Sequence, residues 1–350
     1  MKNLLTAAVA LVLALLLPSP SKAFCLDAAA DSRLQVYCLS KVLSGTATNL
    51  QSAQMLDFRI KQEGYDNGIG LPGNVRPMSL IPYIAPILEY SSDINGGNPN
   101  RPLVLGSLTF YGDEEFYRKK GIIAGIGIGS SGRIIFGQGK YLNLNFGVSY
   151  AHSPEHDIGV SRFHANICSK NDIGNNFYLD GCFAVSGIHR ELTSETTGSA
   201  TVSIAKLFSK GTNRFNQASF GVSRFFDKGY DQNQILVRFD TLYRSGFFTS
   251  FNASVGPTVA ANLAMRHSLS ATVGTTFLNK PIRATASYTY SDGGKLLGFS
   301  REDALRFFSI TYAVHPRVSL SMGYREISSS IDYFSESEAI FGVQFSPIKF

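Results

Sequence analysis

Along YLNLNFGVSY, residues 141–150, apolar and polar positions strictly alternate: Leu142, Leu144, Phe146, Val148 and Tyr150 fall on one face, and Asn143, Asn145, Gly147 and Ser149 on the other. The same period of two returns at Ile235, Val237, Phe239, Thr241 and Tyr243, at Ala284, Ala286, Tyr288 and Tyr290, at Phe308, Ile310 and Tyr312, and at Val318, Leu320, Met322 and Tyr324. A helical period fits none of these segments. They predict many antiparallel strands of roughly 9–12 residues, near the ~9–11 of a tilted membrane strand and longer than the ~5–6 of a typical globular one.

Such strands build either a soluble sandwich or barrel with its apolar face inward, or a transmembrane barrel with that face turned to lipid. The polar faces favour the second, because Arg238, Asp240, Arg283 and Arg317 join many Ser and Thr on the side that would line a wet lumen. Tyr150, Tyr243, Tyr290 and Tyr324 stand at strand ends, where a membrane interface favours amphipathic aromatics. The expected fold is therefore an all-β, antiparallel up-and-down transmembrane barrel of about 14–16 strands over residues 77–350. Sixteen candidate strands start near Ser79, Pro102, Gly121, Arg133, Lys140, Asp157, Asn176, Gly198, Asn213, Gln232, Gly246, Arg266, Pro281, Asp303, Pro316 and Glu338. GIIAGIGIGSSGRIIFGQG reads either as one bulged strand or as a short hairpin, which leaves fourteen open. Short connections (AVHPR, FLNKP, YRSG, SKGTN) are expected in the periplasm, and longer ones (SGIHRELTSETTG, SDGGKLLGFSRED, YREISSSIDYFSESEA) outside.

The beginning and end of the chain add an address. Residues 1–23 carry an early Lys2, an apolar run from Leu4 to Leu17, and Ser21 and Ala23 at the −3 and −1 positions of a cleavage site, which predicts a secretory signal cut near Ala23. At the other end, AIFGVQFSPIKF places Phe341, Val343 and Phe345 on one face but Ile348 and Phe350 on the other parity. An extra residue absorbed at Ser346-Pro347 would rephase the strand, so a ladder defect is expected there.

Residues 24–76 read differently. Leu34, Cys38 and Val42, with Leu39 and Leu43, predict an amphipathic helix ending at Gly45, and Thr48 or Asn49 would cap a second running to about Glu63. Plug, periplasmic cap and tether are all open, with cap or tether favoured because ~50 residues only partly fill a lumen of ~16 strands.

Composition sharpens this picture in two respects. Charged residues make up 17% of the chain, Gly numbers 33, and Phe (26) and Tyr (16) are abundant while Trp is absent, which suits strands shared between two solvents. The formal net charge of +6 falls to +4 once Lys2 and Lys22 leave with the signal, a mild excess that selects anions only if it lines the constriction. Nothing in this balance points to nucleic acid. The four cysteines fit an oxidising compartment, and the local pairs Cys25 with Cys38 and Cys168 with Cys182 are expected as structural staples.

Two catalytic signatures fail in context. His152, Glu155 and His156 spell HxxEH, but Pro154 makes the segment a turn; Gly127, Gly129 and Gly132 spell GxGxxG, but a strand follows where a phosphate-binding helix would start. No catalytic residue, metal site or cofactor is therefore expected, although His152 and His164 near a serine on the lipid face would reopen an enzyme reading.

PYIAPILEYSSDINGG (82–97) and GYREISSSIDYFSESEAIFGVQFSPIKF (323–350) resemble the opening strand and closing hairpin of the C-terminal barrel in the surface lipoprotein assembly modifier family. That resemblance implies a role in moving lipoproteins to the cell surface. The family also carries a tetratricopeptide domain, for which residues 24–76 are too short. The terminal Phe350 is similar to the aromatic residue by which the barrel-assembly machinery recognises outer-membrane proteins.

Three functional classes follow, in this order: a conduit for small solutes or exported polypeptide, a surface interaction protein acting through long loops such as 325–338, and a lipid-modifying enzyme. All share outer-membrane lipid as their surroundings.

Overall fold

The computed structural model describes residues 25, 31–43, 50–65, 76–278 and 280–349. The signal segment 1–23, the cap positions Thr48 and Asn49, and Phe350 lie outside the described residues. Among the described residues two helices, α1 (Ser32–Leu43) and α2 (Leu50–Gln62), precede the sheet. Its strands are β1 (Arg76–Ser91), β2 (Gly121–Gly137), β3 (Lys140–Ser153), β4 (Ile158–Gly174), β5 (Phe177–His189), β6 (Ser194–Lys210) and β7 (Arg214–Asp227). They continue as β8 (Tyr230–Tyr243), β9 (Phe248–Val255), β10 (Ala264–Phe277), β11 (Lys280–Leu296), β12 (Phe299–His315), β13 (Val318–Ser329) and β14 (Glu336–Phe345). Each pairs antiparallel with the next, and β14 returns to β1, so the sheet has no open edge. Closure satisfies the backbone in a medium that offers no water, as spanning a bilayer requires.

The strand number is fourteen, and two of the sixteen candidate starts are corrected. Gly121–Gly137 is one continuous strand, so no new strand begins at Arg133. Its pairing with β3 runs on through Ser130, Ser131 and Gly132, and that with β1 resumes at Arg133, without a turn. The segment after Pro102 forms only a two-stranded hairpin, Leu103–Leu105 with Leu108–Phe110, inside the loop between β1 and β2. It is too short to span a bilayer.

Loop lengths are also corrected. Many strands reach 17 residues, more than the ~9–11 a tilted span needs. Most of the expected long outer loops are therefore strand: β11 and β12 meet at Leu297-Gly298, and within 325–338 only residues 330–335 connect β13 to β14. Residues 92–120 are the one long connection in the barrel. With an even strand number both barrel termini fall at one end, which in an outer-membrane barrel faces the periplasm, and loop 92–120 lies at the other end.

The exterior carries the apolar parity. Ile126, Ile128, Val148, Val202, Phe220, Val237, Phe251, Met322 and Phe341 all stand exposed on the outer wall. An apolar girdle of this extent has no counterpart on a water-soluble monomer and matches a hydrocarbon surround. Beyond the girdle the outer face turns charged, with Arg224 paired to Asp231 at 2.6 Å and Arg306 to Glu326 at 3.3 Å.

At Ser346-Pro347 the last ladder breaks. Ile87 faces Gln344, whereas Ile84 faces Ile348, so the register slips by one residue between them. Ile348 thereby returns to the outer face with Phe345.

Candidate functional site: the lumen and its two closures

The inner parity can be followed around the wall. Tyr83 faces Gly129, Gly147, His164 and Ser186 in turn, and the residues two apart on each strand share that lumen side. Both glycines are needed there. A Cβ on Gly129 would lie 2.5 Å from the Tyr83 ring, and one on Gly147 would lie 2.7 Å from His164 Cε1. Part of the GxGxxG-like motif thus makes room for a tyrosine laid across the wall. It is no phosphate cradle.

The wall differs from side to side. Along β1 the inner residues are Ile81, Tyr83, Ala85 and Ile87, next to Gly125 and Gly127 of β2. Across β9 to β13 hydroxyls and amides recur among them, with Asn252 opposite Ser270, Thr272 opposite Thr285, and Thr311 opposite Ser321, beside Leu305, Phe307 and Arg325 on the same parity. Asn252 and Ser270, Thr272 and Thr285, and Ser268 and Thr289 hydrogen-bond across strands.

At the periplasmic end, α1 sits on the inner wall. Leu34, Cys38, Leu39 and Val42, one stripe of the helix, are buried with the lumen-facing Tyr178, Ala205, Leu207, Phe215, Leu242 and Phe248. Asp31 caps α1 by accepting the Arg33 backbone N–H at 2.9 Å. The Cys25–Cys38 disulfide, with Cα atoms 5.8 Å apart, ties the preceding chain to the same stripe. Arg33 forks onto Asp180, donating to its two oxygens at 3.0 and 2.6 Å, and Lys170 adds a third donor at 2.9 Å. After α2, the buried Glu63 accepts from the Tyr141 hydroxyl at 2.6 Å and from Arg133 at 3.2 Å, while Tyr65 donates to Asp172. The contacts of the described N-terminal residues run from β2 to β9.

This environment fixes charge states. Burial alone would raise Asp31, but Arg33 and Lys170 beside it hold its carboxyl well below the ordinary range. Burial, with the Asp172 carboxylate it donates to, pushes the Tyr65 phenol up. Above α1 lies a polar cavity of about 290 Å³, lined by Arg33, Lys170, Asp31, Asp180, Arg238 and Asn252 among others. A further cavity of about 940 Å³, beside Phe183, Val202, Ile235 and Val255, is a groove on the outer face instead.

The extracellular closure is loop 92–120. Buried Asn95 donates to the Tyr117 carbonyl at 2.8 Å and accepts the Lys119 N–H at 2.9 Å, which staples the two arms of the loop. One flank rests on the β5–β6 turn, where Arg190 donates to Asp93 at 2.9 Å and the Leu192 N–H to the Asn95 carbonyl at 2.9 Å. The other flank rests on the β13–β14 connection, where Arg101 donates to the Tyr333 and Ser335 carbonyls and Arg118 pairs with Glu336. The loop therefore leans across the mouth, over an apolar cluster of Ile94, Ile123, Ala151, Ile158 and Val160.

The residues singled out in the sequence take these places. Asp240 is fully buried and holds Arg238 Nε at 2.8 and 3.0 Å, leaving the end of the guanidinium free for the polar cavity. Arg283 shares the inner parity of Thr285 and is exposed. Arg317 is a correction: it is exposed in the β12–β13 turn after Pro316, its N–H donating to His315 Nδ1 at 3.2 Å, and so is absent from the lumen wall. Cys168 and Cys182 are disulfide-bonded directly across β4 and β5, Cα atoms 4.1 Å apart, on the lumen side. His164 contacts Asn145 Oδ1 at 3.0 Å, and His152 lies 3.4 Å from Asp157; neither has a serine partner among the described residues. No metal-binding group of His, Cys, Asp and Glu forms among the described residues.

Sequence reading missed Asp180, Lys170 and Glu63. A signal was available for Lys170 and Asp180, since each breaks the inner parity of a strand with a charge. Their helical partners lie more than a hundred residues away and could not be paired from the sequence.

No family model matches the chain, and no curated protein matches it. Among solved structures, OccK2 (OpdF) of Pseudomonas aeruginosa is 9% identical, over 77% of this chain and 98% of that one, with a TM-score of 0.41. OpdK of the same organism is 8% identical, over 80% and 100%, with a TM-score of 0.42. CdiB from Acinetobacter baumannii is 11% identical, over 89% and 71%, with a TM-score of 0.38. By its own closed sheet and apolar girdle, the chain is a fourteen-stranded antiparallel transmembrane β-barrel.

Proposed function

We propose that this barrel is a conduit for small polar solutes, which pass under loop 92–120 and descend along the hydroxyl wall of β9 to β13 beside the docked helices. The observation that carries the reading is the asymmetry of the lumen. The described N-terminal residues contact β2 to β9, while Ser, Thr and Asn of β9 to β13 present small, water-compatible groups to the lumen. Arg283 adds positive charge on the inner parity and would bias the path toward anions, whereas the charge of Arg238 is balanced by Asp240. In planar bilayers the purified protein should show unitary conductance, and Arg238→Glu should shift its reversal potential toward cation preference. Absence of conductance, both with residues 24–76 present and with them deleted, would sink this reading.

Passage of exported polypeptide, as the resemblance to surface lipoprotein assembly modifiers implies, would need the helices to leave the lumen. A surface-binding role has one specific support: Val104, Leu108, Phe110 and Tyr111 stand exposed on the loop hairpin. That role predicts a deletion of residues 103–110 that abolishes partner binding and leaves the barrel folded.

A further inference from the structure

The seam that closes the barrel is unlike every other strand pair. Between β1 and β14 only Ile87, Leu88 and Glu89 find register partners, and two more, Tyr83 and Ile84, pair with Lys349 and Ile348 beyond the slip. Each of the other neighbouring strand pairs carries at least eight.

The cause is written in β1 itself. In an antiparallel strand alternate residues turn both backbone groups toward the same neighbour. The β1–β2 ladder is unbroken from Ile81 to Ser91, through Pro82 and Pro86. Residues at the odd positions must therefore serve β2, and the even ones, 82, 84, 86 and 88, serve β14. Proline has no N–H. Pro82 and Pro86 thus remove every second donor from the closing edge, leaving Ile84 opposite Ile348 and Leu88 opposite Val343. Pro347 removes another from the facing strand, at the slip. Prolines placed in this way belong to a free sheet edge, and here they occupy a strand that must close a barrel.

This weak zone lies at membrane depth, because Leu88, Phe341 and Ile348 stand exposed on its outer side among the apolar girdle. Outside it is a groove of about 480 Å³ lined by Leu88, Ile122, Ile310, Leu320, Met322 and Phe341. Its inner side is mixed: Ile81, Ala85 and Ile87 of β1 are apolar, but Ile87 faces Gln344, and Glu89, which accepts from Arg162 at 2.5 Å, faces Gly342.

We propose that the β1–β14 seam opens laterally and admits an acyl chain between the bilayer and the lumen, so that an amphiphile keeps its polar head in the channel and its tail in lipid. The proposal extends the conduit reading, since the head group needs the wet lumen described above. Opening breaks few hydrogen bonds, the apolar outer side of the seam meets the tail, and Gln344 and Glu89 on the inner side suit the polar head.

The test uses full-length protein in phosphatidylethanolamine/phosphatidylglycerol vesicles, with a photoreactive benzophenone side chain at the lumen-facing position 85 and, separately, at 340. Phospholipid should be captured at both positions. Capture should be lost when the seam is locked by an engineered Leu88→Cys/Val343→Cys disulfide, and reduced when Pro82→Val/Pro86→Val restores the missing donors. A parallel arm adds a fluorescent long-chain fatty acid: capture of bilayer lipid identifies the membrane as the source, and seam-dependent capture of the fatty acid alone identifies a soluble amphiphile. Capture that persists undiminished in the locked barrel, or that is absent from the unlocked one, overturns the proposal. Conductance of the same preparations reports on the conduit separately, and a heat-modifiable gel shift confirms that each variant has folded.

Discussion

Asp180 holds the N-terminal segment through three donors, two from Arg33 and one from Lys170, with all three side chains largely withdrawn from solvent. Replacing it by asparagine leaves Arg33 and Lys170 with Asp31 as their one remaining neighbouring carboxylate among the described residues, and breaking a buried pair from one side costs about 3–5 kcal/mol. Asp180→Asn should therefore release α1 from the wall, seen as faster proteolysis before residue 76 and a larger conductance, with the barrel still heat-modifiable. Asp31 gives the dock its pH dependence. Its folded-state pKa lies below that of the unfolded chain, so its contribution is fully present above the ordinary aspartate value of ~3.9 and is lost as pH falls through the folded value. Hydrogen exchange of α1 should stay protected at neutral pH and rise only under strong acid, and Asp31→Asn should remove that acid-dependent component.

At the level of elements, the disulfide between Cys168 and Cys182 fixes the register of β4 against β5, because the two residues are direct partners in the ladder. With 14 residues of sequence separation, its loss should cost up to about 3 kcal/mol in the entropic account. A Cys168→Ser/Cys182→Ser variant should unfold at lower urea and keep its conductance, since neither sulfur is needed to line a path. The Tyr83 crossing offers a local probe of the wall. Gly129→Val must push the tyrosine ring off its glycine bed and into the lumen, so a reduced unitary conductance is expected.

At the scale of the whole molecule, two independent closures meet one lumen. The helices act from the periplasmic end and loop 92–120 from the outside, the latter through partly exposed ion pairs such as Arg118 with Glu336 and Arg190 with Asp93. Exposed pairs are screened within about 8 Å at physiological salt. Arg101→Ala/Arg118→Ala should loosen the loop, raise conductance, and flatten the salt dependence of any loop-driven closures in single-channel traces. Combined with deletion of residues 24–76, the two conductance gains should exceed either alone, because the closures share no contacts among the described residues.

What the sequence by itself determined is the set of properties that repeat every second residue. Alternation in 141–150 and its counterparts placed lipid and lumen faces, and the parity change before Ile348 located the ladder defect at Pro347, because a strand cannot hide a phase error. The same logic left GIIAGIGIGSSGRIIFGQG undecided, since glycine suits both a turn and a wall that must make room for Tyr83. Tertiary structure alone decided the rest. Strand number, the seating of α1 on β5 to β9, the Arg33–Asp180 fork and the reach of loop 92–120 all join residues far apart in the chain, and sequence periodicity carries no information about such pairings. The seam stands between the two cases: Pro82 and Pro86 were legible from the start, but only the register showed that both turn their missing donors toward the strand that closes the barrel.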